Sequence, residues 1–295
     1  MQGENFSSIL CTSSLDRIST ECPLEPYKFR NSVNIPKMGF LDDMADITVC
    51  GLKTKLMTQY TNEEVAKRKL QFSSDKCRKF HVGKKYNNCE QIKIDQWEVT
   101  DNLQDKFSGS VQIQETNSYI YLGEILTPSG SNKMNIASKI SKCIGKRNDI
   151  LFILNNTYYG DQYFNIAKLL RNSMFLSVLT GNCEVWPRIN LSDIKLLESA
   201  DNTLMYKILE SPSKSSYVLM LLEGGLWPVP VIVKSRRLGY LHNLLNKEDG
   251  SLSKLVFQKT RDSPIKQDWI NLVLKDLKDL NICLSFEEIE QMSKS

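Results

Sequence analysis

The sequence has no long hydrophobic run. No apolar stretch approaches the roughly 20 residues that a membrane-spanning helix needs, and residues 1–5 lack the basic segment that opens a secretory signal peptide. We therefore expect an intracellular protein of the cytoplasm or nucleus, with no membrane partner.

Histidine is scarce and the cysteines are scattered. Only His81 and His242 are present, and no two cysteines have the Cys-x-x-Cys spacing. These absences argue against a zinc site and against a disulfide framework. We expect reduced, mostly buried thiols and no disulfide partner. The eight cysteines are Cys11, Cys22, Cys50, Cys77, Cys89, Cys143, Cys183 and Cys283.

Motifs of the common nucleotide-binding and hydrolase classes are also missing. The sequence contains no P-loop, no Gly-x-Gly-x-x-Gly, no Gly-x-Ser-x-Gly and no internal repeat. What it does contain is typical of a globular protein, because 41% of its 295 residues are hydrophobic and 24% are charged. A chain of this length can bury a sizeable core.

Positive charge is concentrated in one stretch. The net charge is +4, but residues 53–85 contain ten basic and three acidic side chains, a local net charge of +7. Such an excess favours contact with polyphosphate or a nucleic-acid backbone. A helix and turn with solvated lysines explain it equally well.

Two adjacent carboxylates, Asp42 and Asp43, stand between strand-forming residues. Phe40-Leu41 precede the pair and Ile47-Thr48-Val49 follow it, so we expect the pair at the tip of a hairpin. Mg²⁺ is held by a few well-placed carboxylates together with substrate phosphates, so this arrangement suits a two-metal phosphoryl-transfer site. A solvated turn is the alternative, since a chain with this aspartate content has about one Asp-Asp step by chance.

Four segments occur in a fixed order along the chain. They are Gln2-Gly3 with the following residues 7–11, then Phe40-Leu41-Asp42-Asp43, then residues 70–83, and finally Tyr119-Ile120-Tyr121-Leu122-Gly123. In this order they resemble the Gln-Gly segment, the aromatic-x-Asp-Asp motif, the next palm motif and the primer-gripping turn of non-LTR (LINE-type) retrotransposon reverse transcriptases. Four motifs in order are more specific than any one of them.

The resemblance implies a metal site at the acidic pair. Asp42 matches the principal ligand of two Mg²⁺ ions and Asp43 assists it, so both are candidate catalytic and metal-binding residues. Lys76 matches a lysine that approaches the leaving pyrophosphate, and is a third candidate catalytic residue. A solvated turn lysine is the alternative for Lys76.

The resemblance also implies contacts with nucleic acid. Gln2, Gly3 and Phe40 would lie near the incoming nucleotide and the template. The primer grip, which supports the 3′ end of the primer, would consist of Tyr121, Leu122 and Gly123. The implied partners are an RNA or DNA template-primer and deoxynucleoside triphosphates.

The predicted fold class is α+β. Residues 1–130 resemble a partial polymerase palm of antiparallel strands and helices, and residues 131–295 a helical thumb with a C-terminal helical extension. From residue 132 the apolar residues recur at three and four, which predicts helices at residues 191–209, 215–222, 229–245 and 264–280. Ser285 and Glu288 have the spacing of a capping box.

We also predict the surroundings of three basic residues and two tryptophans in the helical part. Lys234, Arg236 and Arg237 would either face a template-primer duplex or form a solvated helix face. Trp186 and Trp227 are expected in the core.

The resemblance covers the back half of the family's polymerase. The fingers and the palm motif with the other metal-binding aspartate have no counterpart in the match, so Asp42 and Asp43 supply half of a two-metal site. We predict a fragment of an RNA-directed DNA polymerase, a nucleotidyltransferase that is inactive alone and binds Mg²⁺ weakly. The alternative is a non-catalytic nucleic-acid-binding or interaction protein derived from a retrotransposon.

Overall fold

A computed structural model gives the protein an α+β fold, as predicted from the sequence. The described residues belong to two compact units, Met1–Ser129 (unit 1) and Gly130–Ser295 (unit 2). None of the helices in the described part of the chain is both long and apolar enough to cross a membrane. The structure describes residues 22–30, 32–35, 38–40, 43–68, 72–73, 75–79, 92–98, 106–157, 159–212, 215–262, 269–282 and 284–294.

The described strands of unit 1 form five two-stranded sheets. All are antiparallel except the pair β5–β8. The pairs are β1 (Tyr27–Phe29) with β2 (Val33–Ile35), β3 (Met38–Phe40) with β4 (Asp43–Ala45), β5 (Arg78–Lys79) with β8 (Gln114–Glu115), β6 (Lys93–Glu98) with β7 (Lys106–Gln112), and β9 (Tyr119–Tyr121) with β10 (Glu124–Leu126).

The segment after β4 is not a strand, so the expected role of Ile47-Thr48-Val49 was wrong. Helix α1 (Gly51–Lys67) begins two residues later, and the Thr48 hydroxyl donates to the Cys50 carbonyl oxygen at 3.3 Å. Thr54 donates to the same carbonyl from its backbone N–H at 3.1 Å. These local hydrogen bonds stabilise the start of the helix, and they compete with pairing of this segment as a strand.

Phe72 connects two small apolar clusters of unit 1. Val65 of α1 is buried and packs against Phe72 and Met44 of β4. Phe72 also contacts the second cluster, which includes Cys77. The buried members of this second cluster are Ile92, Ile94 and Ile113. The hairpin β3–β4 and the turn before β5 are therefore positioned through one aromatic side chain.

Among its described residues, unit 2 contains helices and the loops between them but no strand. Its helices are α2 (Lys133–Asn156), α3 (Tyr163–Leu170, continued by a π-helical stretch Arg171–Leu176 and by Ser177–Leu179), α4 (Leu191–Ile208), α5 (Tyr217–Glu223), α6 (Val229–Leu245), α7 (Leu252–Asp262), α8 (Trp269–Asp279) and α9 (Phe286–Lys294). Short 3₁₀ turns occur at Gly160–Gln162 and Cys183–Val185.

The helix predictions hold closely where the structure describes the chain. The prediction for residues 229–245 matches α6, and the capping box is present at α9. Glu288 donates from its backbone N–H to the Ser285 hydroxyl at 3.2 Å, and Ser285 donates from its own N–H to the Glu288 carboxylate at 2.7 Å. Helix periodicity and capping chemistry are local, so the sequence carries both.

The main core of unit 2 lies between α2, α3, α4, the Cys183–Val185 turn and the start of α6. Trp186 is 2% exposed, as expected for a core aromatic. The other buried members are Ile136, Cys143, Ile150, Leu154, Ala167, Phe175, Leu176, Leu179, Cys183, Leu197, Leu204, Ile208, Val229 and Val233. Burial of this much apolar side chain from four helices is the largest stabilising contribution in unit 2.

A buried ion pair crosses this core. Arg171, at the start of the π-helical stretch, donates to both carboxylate oxygens of Asp201 at 2.9 and 2.6 Å, and to the Trp227 carbonyl at 3.3 Å. The Tyr217 hydroxyl donates to Asp201 at 2.6 Å. Burial, reinforced by the Asp201 charge, raises the pKa of Tyr217. The network connects α3, α4, α5 and the segment before α6.

A second cluster holds the three C-terminal helices on α6. Trp269 packs edge-on against Tyr240 and Phe257, with ring centroids 5.6 and 6.4 Å apart. Lys254 of α7 is 2% exposed and donates to the Leu245 carbonyl at the end of α6 at 3.0 Å. Its ammonium also pairs with Glu290 at 3.0 Å, so one lysine joins α6, α7 and α9.

Two glycines of unit 2 make a matched pair for testing the packing around Gly224. A Cβ added to Gly224 would lie 2.8 Å from Phe164 Cζ and 3.0 Å from Leu226 Cδ1, whereas one added to Gly239 within α6 would meet nothing within 4 Å. We expect Gly224→Ala to lower the free energy of unfolding by about 1–3 kcal/mol through overpacking. Gly239→Ala should raise it by about 0.5–1 kcal/mol, because alanine favours helix.

Chemical denaturation monitored by circular dichroism would measure both variants against the wild type. A Gly224→Ala variant as stable as Gly239→Ala would contradict the packing described for Phe164 and Leu226.

Candidate functional site

Asp43 of the acidic pair opens the second strand of a short hairpin. Strands β3 and β4 pair antiparallel with Phe40 opposite Asp43, so only Leu41 and Asp42 connect them. Leu41 and Asp42 lie outside the described residues, and for Phe40 and Asp43 only the backbone is described. The roles of Asp42, Asp43 and Phe40 stay predictions.

The described side chains contain no cluster of three or more potential metal ligands. No three histidine, cysteine, aspartate or glutamate side chains of the described residues are grouped so that they could hold a metal ion. Asp42 is outside that set, as are Gln2 and Gly3. The metal site and the nucleotide-binding residues of the sequence analysis therefore stay predictions too.

Lys76 is exposed in the turn that precedes β5. The turn is closed by hydrogen bonds from the backbone N–H groups of Lys76 and Cys77 to the Ser73 carbonyl oxygen, at 3.0 and 3.2 Å. The neighbouring Cys77 packs on the isoleucine cluster that Phe72 also contacts, and Phe72 packs in turn with Val65 and with Met44 of β4. The structure thus links the turn of Lys76 to the base of the acidic hairpin, while the catalytic role of Lys76 stays a prediction.

Part of the basic stretch is neutralised within α1. Glu64 accepts from Lys67 at 2.6 Å and from Arg68 at 2.8 Å, and these bonds, with Lys67 the larger cause, hold the pKa of Glu64 below its ordinary value. Lys53 lies 3.7 Å from Glu25. The cationic surface offered by the described part of this stretch is therefore smaller than its sequence charge.

The expected primer grip is a hairpin with an exposed apolar tip. Tyr121 pairs with Glu124, and Leu122 and Gly123 form the connection with φ of 48° and 80°. Positive φ at both central residues is the conformation of a type I′ turn, where asparagine and glycine are preferred. Leu122 is nevertheless a leucine, and it is 46% exposed. A left-handed, exposed leucine is unfavourable for folding, and such residues cluster at functional sites.

Two of the three basic residues considered for a duplex-binding face pair with carboxylates inside unit 2, and the third donates to a backbone carbonyl. Arg237 is 2% exposed and pairs with Asp276 at 2.5 Å, so both expectations for it, duplex contact and solvated helix face, were wrong. Lys234 pairs with Asp279, and Arg236 donates to the Thr180 carbonyl at 2.9 Å. No local pattern in the sequence indicates these partners, which lie 39 to 56 residues away.

The Arg237–Asp276 pair is only partly satisfied. Among the described residues, Arg237 Nε and Nη2 have no hydrogen-bond partner. Burial raises the pKa of the Asp276 carboxyl, an effect that the Arg237 charge partly offsets. A buried pair of this kind fixes the angle between α6 and α8 without adding much stability.

Trp227 is on the surface, so its expected place in the core was wrong. Its side chain is 70% exposed, although its carbonyl oxygen accepts from buried Arg171. Exposed neighbours in sequence are Val218, Leu219 and Leu222 of α5, at 60, 65 and 70%. The Trp227 backbone is thus bonded to the core, while its ring faces solvent.

The cysteines support the expectation of buried, reduced thiols at two positions. Burial raises the pKa of Cys143 and of Cys183 to about 12, so neither thiol ionises near neutral pH. Cys50 is exposed, and Cys22 and Cys77 are half-buried. The described cysteines form no disulfide.

Comparison of the chain with protein-family models, with curated proteins and with solved structures gives no match. The resemblance to reverse transcriptases consequently depends on the ordered motifs alone.

The turn residue Leu122 gives a testable prediction. Leu122→Asn should raise the free energy of unfolding of unit 1 by about 1 kcal/mol, because asparagine tolerates the left-handed conformation that a type I′ turn requires. Leu126→Asn is the control, since Leu126 is also exposed but lies in strand β10. Urea denaturation measures both, and a less stable Leu122→Asn variant would rule out the strain.

The buried Arg237–Asp276 pair gives a second testable prediction. Asp276→Asn should cost about 3–5 kcal/mol of unfolding free energy, because it leaves the Arg237 charge buried without a counterion. The double substitution Arg237→Met with Asp276→Leu should recover most of that loss, since apolar side chains of similar volume can replace a buried pair.

A measurement of nucleic-acid affinity shows whether Arg237 has this structural role or binds nucleic acid. The double variant should bind a template-primer duplex as tightly as the wild type in a fluorescence-anisotropy titration. A large loss of affinity in a fully folded double variant would return Arg237 to the nucleic-acid interface.

Proposed function

We propose that the chain is part of an RNA-directed DNA polymerase of the non-LTR retrotransposon type. The observation that carries the proposal is the order of the four motifs. The backbone of the acidic hairpin supports it, because Phe40 and Asp43 face each other across a two-residue connection that contains Asp42. A strand–turn–strand is the setting in which an aromatic-x-Asp-Asp motif presents its carboxylates.

The proposed chemistry is template-directed nucleotidyl transfer. Asp42 and Asp43 would hold Mg²⁺, which when bound stabilises charge on the attacking and leaving oxygens. The chain itself would supply alignment of the primer end, through the hairpin of Tyr121, Leu122 and Gly123. Lys76, exposed in its turn, would meet the leaving pyrophosphate.

The electrostatics of unit 2 favour a second candidate function, nucleic-acid binding without catalysis. Residues 130–295 contain 22 Lys and Arg against 17 Asp and Glu, a net charge of +5, while residues 1–129 contain 16 against 17, a net charge of −1. Positive charge on a helical unit attracts a phosphate backbone whether or not a polymerase site is complete.

Primer extension distinguishes the two. The purified chain, mixed with a polypeptide that carries polymerase fingers and the other palm aspartate, should extend a primer on an RNA template when Mg²⁺ and deoxynucleotides are present. Asp42→Ala should lower extension at least about 10³-fold, since it removes a metal ligand on which the charge stabilisation depends.

Asp161→Ala is the control, because Asp161 is an exposed aspartate of unit 2. Extension that is unchanged by Asp42→Ala would disprove the proposed metal site. Salt-dependent duplex binding without any extension would instead establish the second function.

A further inference from the structure

One long face of helix α2 is exposed and carries little charge. Met134 and Phe152 on this face are 47 and 69% exposed, while the opposite face of α2 is buried in the core of unit 2. An exposed helix face is normally rich in charged side chains. The exposed row, called the α2 stripe below, consists of Met134, Ala137, Ser141, Gly145, Asn148 and Phe152.

Two pairs of residues in the α2 stripe, Met134 with Phe152 and Ser141 with Gly145, are placed symmetrically about one position. Met134 and Phe152 are separated by about five helical turns, so both side chains leave the helix on the same side. Position 143 is midway between them, and it is also midway between Ser141 and Gly145. A second copy of α2 placed antiparallel, with both helices centred there, brings Met134 of each copy to Phe152 of the other.

The centre of the stripe permits close approach. A Cβ added to Gly145 would meet no atom of the chain within 4 Å, and Ser141 is small and exposed. Helices pack at about 8–10 Å between axes, and small side chains at the crossing favour the short end of that range. At each end a methionine would meet an aromatic ring, which is a favourable sulfur–aromatic contact.

The charges beside the stripe favour a second copy over nucleic acid. Lys142 and Asp149 are exposed and lie about two turns apart on one flank. In the antiparallel pair, each Lys142 lies about 7.5 Å along the axis from Asp149 of the other copy and on the same side of the interface, so the two side chains can reach toward each other. Among the described residues Asp149 pairs with the half-exposed Lys146, at 3.4 Å, a contact weak enough to be shared or exchanged. The stripe itself contains no cation for a phosphate backbone, and its flank pairs the cation Lys142 with the anion Asp149, which suits a second copy of the same helix.

We propose that α2 is a self-association surface, through which two copies of the chain form a two-fold symmetric, antiparallel dimer. The interface is isologous, so each contact occurs twice. This inference is independent of the proposed polymerase function.

Two substitutions with opposite charges test the pairing. Met134→Glu or Phe152→Lys alone should weaken the dimer about tenfold or more, because each places two charges against apolar partners. A mixture of the two variants should form a heterodimer, because the new carboxylate of one chain then meets the new ammonium of the other, while the second end keeps its native Met134–Phe152 contact. Sedimentation velocity over a range of concentrations measures each equilibrium.

Leu219→Glu on α5 is the control, since Leu219 is 65% exposed, close to the value for Phe152, and lies on another helix. It should leave the dimer unchanged. Circular dichroism confirms that the charged variants stay folded, as expected for substitutions at exposed positions.

Several results would overturn the proposal. They are a wild-type chain that stays monomeric at the highest concentration reached, a Phe152→Lys variant that dimerises normally, and a mixture of folded variants that remains monomeric. A monomeric wild type whose duplex affinity rises on Phe152→Lys but not on the matched Leu219→Lys would show instead that this face binds nucleic acid.

Discussion

The buried charge of Arg171 is the constraint on which the structure of unit 2 depends. Its side chain is 1% exposed and that of Asp201 is fully buried, so neither charge is tolerable without the other. Arg171 belongs to α3, Asp201 to α4, and their further partners are Tyr217 of α5 and the Trp227 carbonyl just before α6. Four segments must therefore meet in one arrangement, and a slip of α3 or α4 by one turn would leave a buried charge unpaired.

That arrangement places the exposed ring of Trp227 on a backbone that is held by hydrogen bonds. The carbonyl oxygens of Gly225 and Trp227 accept from Lys168 and Arg171 of α3, and Gly224 lies tightly against Phe164. The loop is held by its backbone, so the side chain is not needed to anchor it. A large apolar ring on a fixed backbone is preorganised for contact, because little conformational entropy is lost when a partner covers it.

The parts of the structure that the sequence predicted are the parts that local rules determine. Helix α6 and the capping box at Ser285 depend on residues within one or two turns, and both were predicted correctly. The strand assigned to residues 47–49 failed because Thr48 and Thr54 hydrogen-bond to Cys50 at the start of α1. The positions of Arg237 and Trp227 were not predictable, since periodicity alone does not show which partner 39 or 56 residues away lies opposite. The motifs of the candidate site could be found because they are contiguous in sequence, but whether a cation contacts solvent or a carboxylate depends on packing.

The internal ion pairs bear directly on how the protein would hold nucleic acid. The slope of affinity against salt concentration depends on the number of protein cations that displace counterions from phosphate. A cation already paired with a carboxylate contributes little to that slope. Lys76 and Lys142 are exposed, whereas Lys234 is engaged by Asp279, Arg68 by Glu64 and Arg237 by Asp276. The slope of affinity against salt should thus reflect the exposed cations of each unit, and it should be shallower than the number of basic residues in the sequence suggests.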